Sequence, residues 1–268
     1  MGLCGIFPWN AEAVEDVRLE SDSTPLVGVY ASVFGGGGSM MSGVDLVLLA
    51  TALYDTDHGG PIAVNGKGSS KSSSFWLVGG NFGFNWFTKP LNQAGVNISP
   101  SIELEGLYIG QHKIIGSHQK FPDHIHHVTL PTDIGVALVN MVFDFSFKRQ
   151  SKYHGYLGVG WGAAVISISK AKDIQTSPYE PGINHFSGDP NDSGVTFAVQ
   201  PKIGFLFDCN SRISLFAEYR FIYLSASDYQ FGSTVATGGL SHVTTTDWLV
   251  KMGSQFLNIG VLGLRFKL

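Results

Sequence analysis

Residues 195–224 allow few folds. Val195, Phe197, Val199, Pro201, Ile203, Phe205 and Phe207 form one row of alternate positions, and Thr196, Ala198, Gln200, Lys202 and Gly204 form the other. After the polar turn Cys209, Asn210, Ser211 and Arg212, the alternation resumes, with Ile213, Leu215, Ala217, Tyr219, Phe221 and Tyr223 opposed to Glu218 and Arg220. A period of two specifies β-strand. Both arms exceed the roughly 5–6 residues usual in a soluble sheet, and one face is almost wholly apolar and aromatic while the other holds charges. Lipid outside and a polar lumen inside would suit such a strand.

Composition agrees with that sidedness. Charged residues are only 14% of the 268 positions, and glycine reaches 34, against roughly 25% charge in soluble domains. The net charge of -4 and the lack of a Lys/Arg cluster interleaved with aromatics argue against nucleic acid as a partner. Two cysteines, Cys4 and Cys209, build neither a metal nor a disulfide framework. The best candidate for a spanning helix, 153–169, is too short for one, and its glycines at 158, 160 and 162 alternate as in a strand. Near the N-terminus, Gly2 to Trp9 followed by Ala11-Glu12-Ala13 looks like the tail of a secretory signal with its cleavage site. No basic segment precedes it, so a start upstream of Met1 is expected. Residues 1–13 are then a signal remnant that includes Cys4, 14–24 a linker and 25–268 the folded domain.

Along the chain, strands are expected at 25–34, 75–87, 96–115, 133–147, 153–169, 195–207, 213–224 and 255–268. The glycine run 35–38 interrupts the first; it lacks the Lys-Ser/Thr ending of a phosphate loop and reads as a kink or a place where backbones crowd. Residues 44–54 fit either a strand or a short helix. Segments 55–74, 116–132, 171–193 and 226–254 read as long loops, whereas 88–95 and 148–152 read as tight turns. The connections alternate long and short, as expected for an all-β, transmembrane, antiparallel up-and-down barrel of eight strands with long extracellular loops and short periplasmic turns.

A soluble eight-stranded barrel of the lipocalin type is the rival, with its apolar residues turned inward. Against it, the charges within strands fall on one parity: Glu103, Glu105, Asp144, Lys202, Glu218, Arg220, Arg265 and Lys267. Four acids against four bases suit a narrow lumen, where isolated charges are costly. Trp86, Phe87, Phe147, Tyr153, Tyr223 and Phe266, near strand ends, suit interfacial girdles.

Three segments, YHGYLGVGWGAAV from Tyr153, the 195–224 hairpin and the terminal LGLRFKL, resemble the OmpA-like eight-stranded outer-membrane barrels and related bacterial surface antigens. The resemblance covers the chain from about Pro25 to Leu268 and rests on patterns rather than fixed residues. It implies the bacterial outer membrane, with membrane lipids as partners and with lipopolysaccharide and host or matrix ligands at the extracellular loops. One departure is the ending in Leu268, with Phe266 two positions earlier, where such proteins commonly end in Phe.

Two groups could carry other chemistry. His118, His124, His126 and His127 with Asp123 have the residue types of a transition-metal site. They fall in an expected exposed loop, so the reading is solvated residues, no metal and no cofactor. Among Ser/His pairings, His154 lies on the opposite parity to Ser167 and Ser169, and Ser117–His118 and Ser241–His242 are neighbours in sequence only. The expectation is therefore no enzyme, with an outer-membrane lipid-modifying enzyme as the distant alternative. Two readings are left: a structural anchor and surface antigen or adhesin acting through its loops, or a small porin-like channel gated by the lumen charges.

Overall fold

The computed structural model describes residues 28–86, 89–91, 96–119, 124–146, 152–235 and 243–268. The strands are β1 (Gly28–Met40), β2 (Asp45–Ala52), β3 (Ile62–Ser70), β4 (Ser73–Asn85), β5 (Lys89–Leu91), β6 (Val96–Gln119) and β7 (Ile125–Ser146). They continue as β8 (Tyr153–Ile168), β9 (Lys172–Ser177), β10 (Asp192–Asp208), β11 (Ile213–Leu224), β12 (Ser227–Phe231), β13 (Trp248–Met252) and β14 (Gln255–Lys267). The only helix among the described residues is a single 3-10 turn at Thr56–His58.

Eight strands close a ring in the order β1-β4-β6-β7-β8-β10-β11-β14, every pairing antiparallel. Closure leaves no unpaired edge. The alternation read from the sequence sets which side each residue faces. Outward-facing Phe205 is 72% exposed, Val195 and Leu262 70% and Leu104 65%, whereas inward-facing Glu103 and Arg220 are almost completely buried. In water each such apolar side chain would forgo roughly 1.5–3 kcal/mol of burial; against acyl chains it forgoes nothing. This arrangement is the reverse of a lipocalin.

The lipid-facing belt has visible edges. At one end Asp133, Ser167 and Ser193 stand side by side across β7, β8 and β10 and face outward. There the Tyr108 hydroxyl donates to Asp133 Oδ1 at 2.9 Å, and the Trp76 and Tyr108 rings lie 5.6 Å apart. At the other end, Trp86, Tyr153 and Phe266 are exposed, and Tyr153 leans on Phe207. Phe87 and Phe147 lie outside the described residues, as do the expected signal remnant at 1–13 and linker at 14–24.

Above the Asp133 edge the wall does not dissolve into loops. After a register shift between Ile109 and His112, β6 and β7 continue as a pair out to Gln119 and Ile125. They gain neighbours there: β3 on β6, β2 between β3 and β13, β12 on β13, and β9 on β7. The result is an upper storey of sheet. The segment 178–191 fills the gap between its two ends, with Gly188 N donating to Ser233 O and Gly232 N to Asp189 O.

Four segments expected to be loops contain sheet. The supposed loop at 55–74 contains β3, the one at 116–132 is mostly the paired ends of β6 and β7, and those at 171–193 and 226–254 contain β9, β12 and β13. These strands lie above the lipid, so both parities of a strand such as β3 can be polar or glycine, and the apolar alternation that marks a spanning strand is missing. Within 44–54 the chain forms the strand β2, Asp45–Ala52. The glycine run at 35–38 does not interrupt β1, which extends to Met40. It is instead a site of crowding: a Cβ at Gly36 would collide with the Gly260 carbonyl of β14.

Candidate functional site

The interior is stratified along the barrel axis. In its lower half, Glu103 and Glu105 are two apart on β6 and so share the inner face, as do Glu218 and Arg220 on β11. Lys202 of β10 reaches Glu103 at 2.6 Å, Glu105 at 3.2 Å and Glu218 at 3.7 Å. Arg220 Nη1 contacts Glu105 at 2.5 Å, and its Nε bonds Glu218. Arg265 of β14 bridges Glu103 and Asp144, each at 3.5 Å.

Neutral donors add hydrogen bonds to three of the carboxylates. The Tyr30 hydroxyl donates to Glu103 at 2.7 Å and the Tyr156 hydroxyl to Glu218 at 2.9 Å. Asn140 and Gln200 donate to Glu105 at 3.2 and 3.1 Å. The tyrosines fit because their cross-strand partners are glycines, Gly83 and Gly204, where a Cβ would occupy the ring's position. Guanidiniums stack on rings as well, Arg220 on Phe34 at 4.1 Å and Arg265 on Tyr30 at 4.2 Å.

Of the eight charges picked out by parity, Glu103, Glu105, Asp144, Lys202, Glu218, Arg220 and Arg265 form this one network. Lys267 does not join it. It sits at the lower mouth with Asp208, at 2.9 Å, and Asp208 also takes His154 at 3.1 Å and Ser214 at 2.5 Å. Parity could also have selected Tyr30, Asn140, Tyr156 and Gln200, which occupy the same inner rows. A count restricted to formal charges passes over them.

Above the ions the lumen turns apolar, which corrects the expectation of a polar interior throughout. Leu77, Leu107, Ile109, Leu138, Ala164, Ala198, Ile222 and Ile259 close over the network. That plug continues upward into a core of Met40, Leu46, Leu48, Ile114, Leu130, Phe186, Phe231 and Trp248. Phe186, from the filling segment, stacks on Phe231 at 4.7 Å and meets Trp248 edge-on at 6.3 Å.

The histidine-rich segment is not a solvated loop. His118 and His126 face each other across β6 and β7 with stacked rings 5.1 Å apart, and both are buried. Asp173 of β9 lies between them, 3.6 Å from His118 Nε2 and 3.5 Å from His126 Nδ1. His127 points outward and is exposed, His124 is partly buried, and Asp123 lies outside the described residues. The sequence concealed this group because Asp173 arrives from a different strand.

Among the described residues, His154 meets neither Ser167 nor Ser169. His154 belongs to the lower mouth and Ser167 to the outer face at the opposite edge, while Ser241 and His242 lie outside the described residues. A pairing that adjacency in sequence misses is Ser117 Oγ with His127 Nδ1, 3.1 Å apart on the exposed face of the upper storey.

No family model matches the chain, and no curated protein matches it. Among solved structures it is similar to Neisserial surface protein A, at 11% identity over 90% of this chain and 97% of that one, TM-score 0.35. It is also similar to the outer membrane protein OprG from Pseudomonas aeruginosa, at 10% identity over 90% and 96%, TM-score 0.42. A third is the outer membrane protease OmpT from Escherichia coli, at 7% identity over 88% and 97%, TM-score 0.40. The architecture itself rests on the closed strand pairings and on the sidedness described above: an eight-stranded membrane-spanning β-barrel.

Proposed function

We propose that this eight-stranded barrel is a bacterial outer-membrane protein that serves as a sealed anchor, holding a folded β-platform above the bilayer for contact with a macromolecular partner. The observation that carries this reading is the doubly closed lumen, an ion network below and an apolar plug above. Eight strands leave room only for side chains, and here the side chains are in contact. The platform's far end supports the partner half of the reading. Leu53, Tyr54 and Ile62 at the β2–β3 turn, and Tyr179 beside β9, are exposed in water, 39–73% by residue. Exposed aromatics and aliphatics on a rigid support are the kind of anchor found at interface centres.

Two measurements test this. In planar bilayers the purified protein is expected to be silent; steady wild-type conductance would put the gated-channel reading first. Cells displaying the barrel with Leu53→Ser, Tyr54→Ser, Ile62→Thr and Tyr179→Ser are expected to lose adhesion to host cells or matrix while the protein keeps its heat-modifiable migration. Unchanged adhesion would count against the partner half.

A further inference from the structure

We infer that His118, His126 and Asp173 are the ligands of one transition-metal ion of the Zn2+ class, bound inside the upper storey. The donor atoms, one from each residue, all lie within 4.8 Å of one another. Asp173 Oδ1 is 3.6 Å from His118 Nε2 and 3.5 Å from His126 Nδ1. Those separations exceed the 2.7–3.2 Å of a hydrogen bond. They approach the roughly 3.3–3.4 Å between ligand atoms set tetrahedrally at about 2.0–2.1 Å around zinc. All three side chains are essentially inaccessible to solvent, with relative exposures of 0–2%.

The surroundings hold the donors in place. His118 and His126 are directly opposed in the β6–β7 register, so the backbone ladder fixes the distance between their Cα atoms. Asp173 is fastened twice, its amide donating to Asn184 Oδ1 at 2.9 Å and its carbonyl accepting from the His185 amide at 2.9 Å. The same Asn184 oxygen takes the Phe186 amide at 3.2 Å, so the segment 178–191 is clamped over the group as a lid. The lid carries another imidazole: the His185 ring is 4.9 Å from that of His126. Outer contacts of this kind orient metal ligands.

The donor chemistry narrows the ion. Two imidazoles and a carboxylate favour zinc and its neighbours, cobalt, nickel and copper, over calcium or magnesium, which take oxygen ligands. Such an ion would join β6, β7 and β9 beneath the lid, and with three ligands from the protein it would keep one coordination position for water.

The test uses tag-free, full-length protein in detergent, stripped with chelator and titrated with Co2+ as a spectroscopic stand-in, then with Zn2+. One equivalent of Co2+ is expected, with the intense visible bands of a low-coordinate N/O site, and Zn2+ should abolish them. His118→Gln and Asp173→Asn should each weaken binding by at least about 100-fold, more than the loss of an outer-shell partner usually costs. His127→Gln and His58→Gln should bind as wild type. Absence of a stoichiometric Co2+ spectrum, or wild-type affinity in His118→Gln and Asp173→Asn, overturns the proposal. Should those two variants lose heat-modifiable migration, X-ray absorption of the zinc-loaded wild type decides: imidazole plus oxygen scatterers support the site, and an all-oxygen shell refutes it.

Discussion

Lys202, low in the lumen, stands among three carboxylates, whereas higher on the same wall Ala198, Ile222 and Leu224 bury nothing but hydrocarbon. The ring is the same in both places, yet the failure modes differ. An apolar layer loses stability in proportion to the atoms removed, and its neighbours partly relax into the gap. The ion layer has no such gradation, because deleting one charge leaves its partners buried and uncompensated. The lower half is thus cooperative in its electrostatics, and the upper half behaves as the core of an ordinary soluble domain placed on top of a membrane protein.

The largest effect expected from this contrast is at Arg220, which contacts Glu105 and Glu218 and is fully buried. Arg220→Met should cost about 3–5 kcal/mol in urea unfolding from micelles. Adding Glu105→Gln should restore part of it, because the second substitution removes the stranded charge. A double variant that loses the sum of the two single losses would mean the charges act independently.

A smaller effect is expected in the upper storey, and it depends on pH. His112 lies beyond the Tyr108 and Asp133 edge of the belt, against Phe75 and within 3.0 Å of Ser73 Oγ, and burial pushes its imidazole down to about 4. The unfolded chain takes up a proton near pH 6.5. Stability is therefore fully present above about 6.5 and drains away as pH falls toward about 4, by up to about 3 kcal/mol. Protease resistance of the upper storey should follow that curve in wild type and flatten in His112→Leu. The smallest effect is expected at the half-wet mouth, where Lys267 meets Asp208. Lys267→Ala should change unfolding by no more than about 1 kcal/mol, and less in high salt.

What could be read from the residues follows the same division. Where a strand crosses lipid, its outward parity must be apolar, so the alternation in 195–224 or 133–147 is a record of the solvent on each side, and the ring strands and most of the ion network were visible in it. Above the belt that pressure disappears. Lys67 of β3 and Lys113 of β6 face water, and with Gly66 and Gly68 inside β3 the polar stretch looked like loop. The meeting of His118 and His126 with Asp173 depends on which strand lies beside β7, a fact of topology that no local pattern encodes.

The seam between β1 and β14 has a consequence for how such a wall comes into being. Its register runs from Tyr30 opposite Lys267 to Met40 opposite Leu257, uniting the first and last strands described. Until that final strand docks, the opening one presents a bare flank of amides and carbonyls that hydrocarbon cannot solvate. Insertion therefore has no stable halfway point, and a polypeptide cut short before β14 would yield an assembly failure in place of a leakier or weaker cylinder.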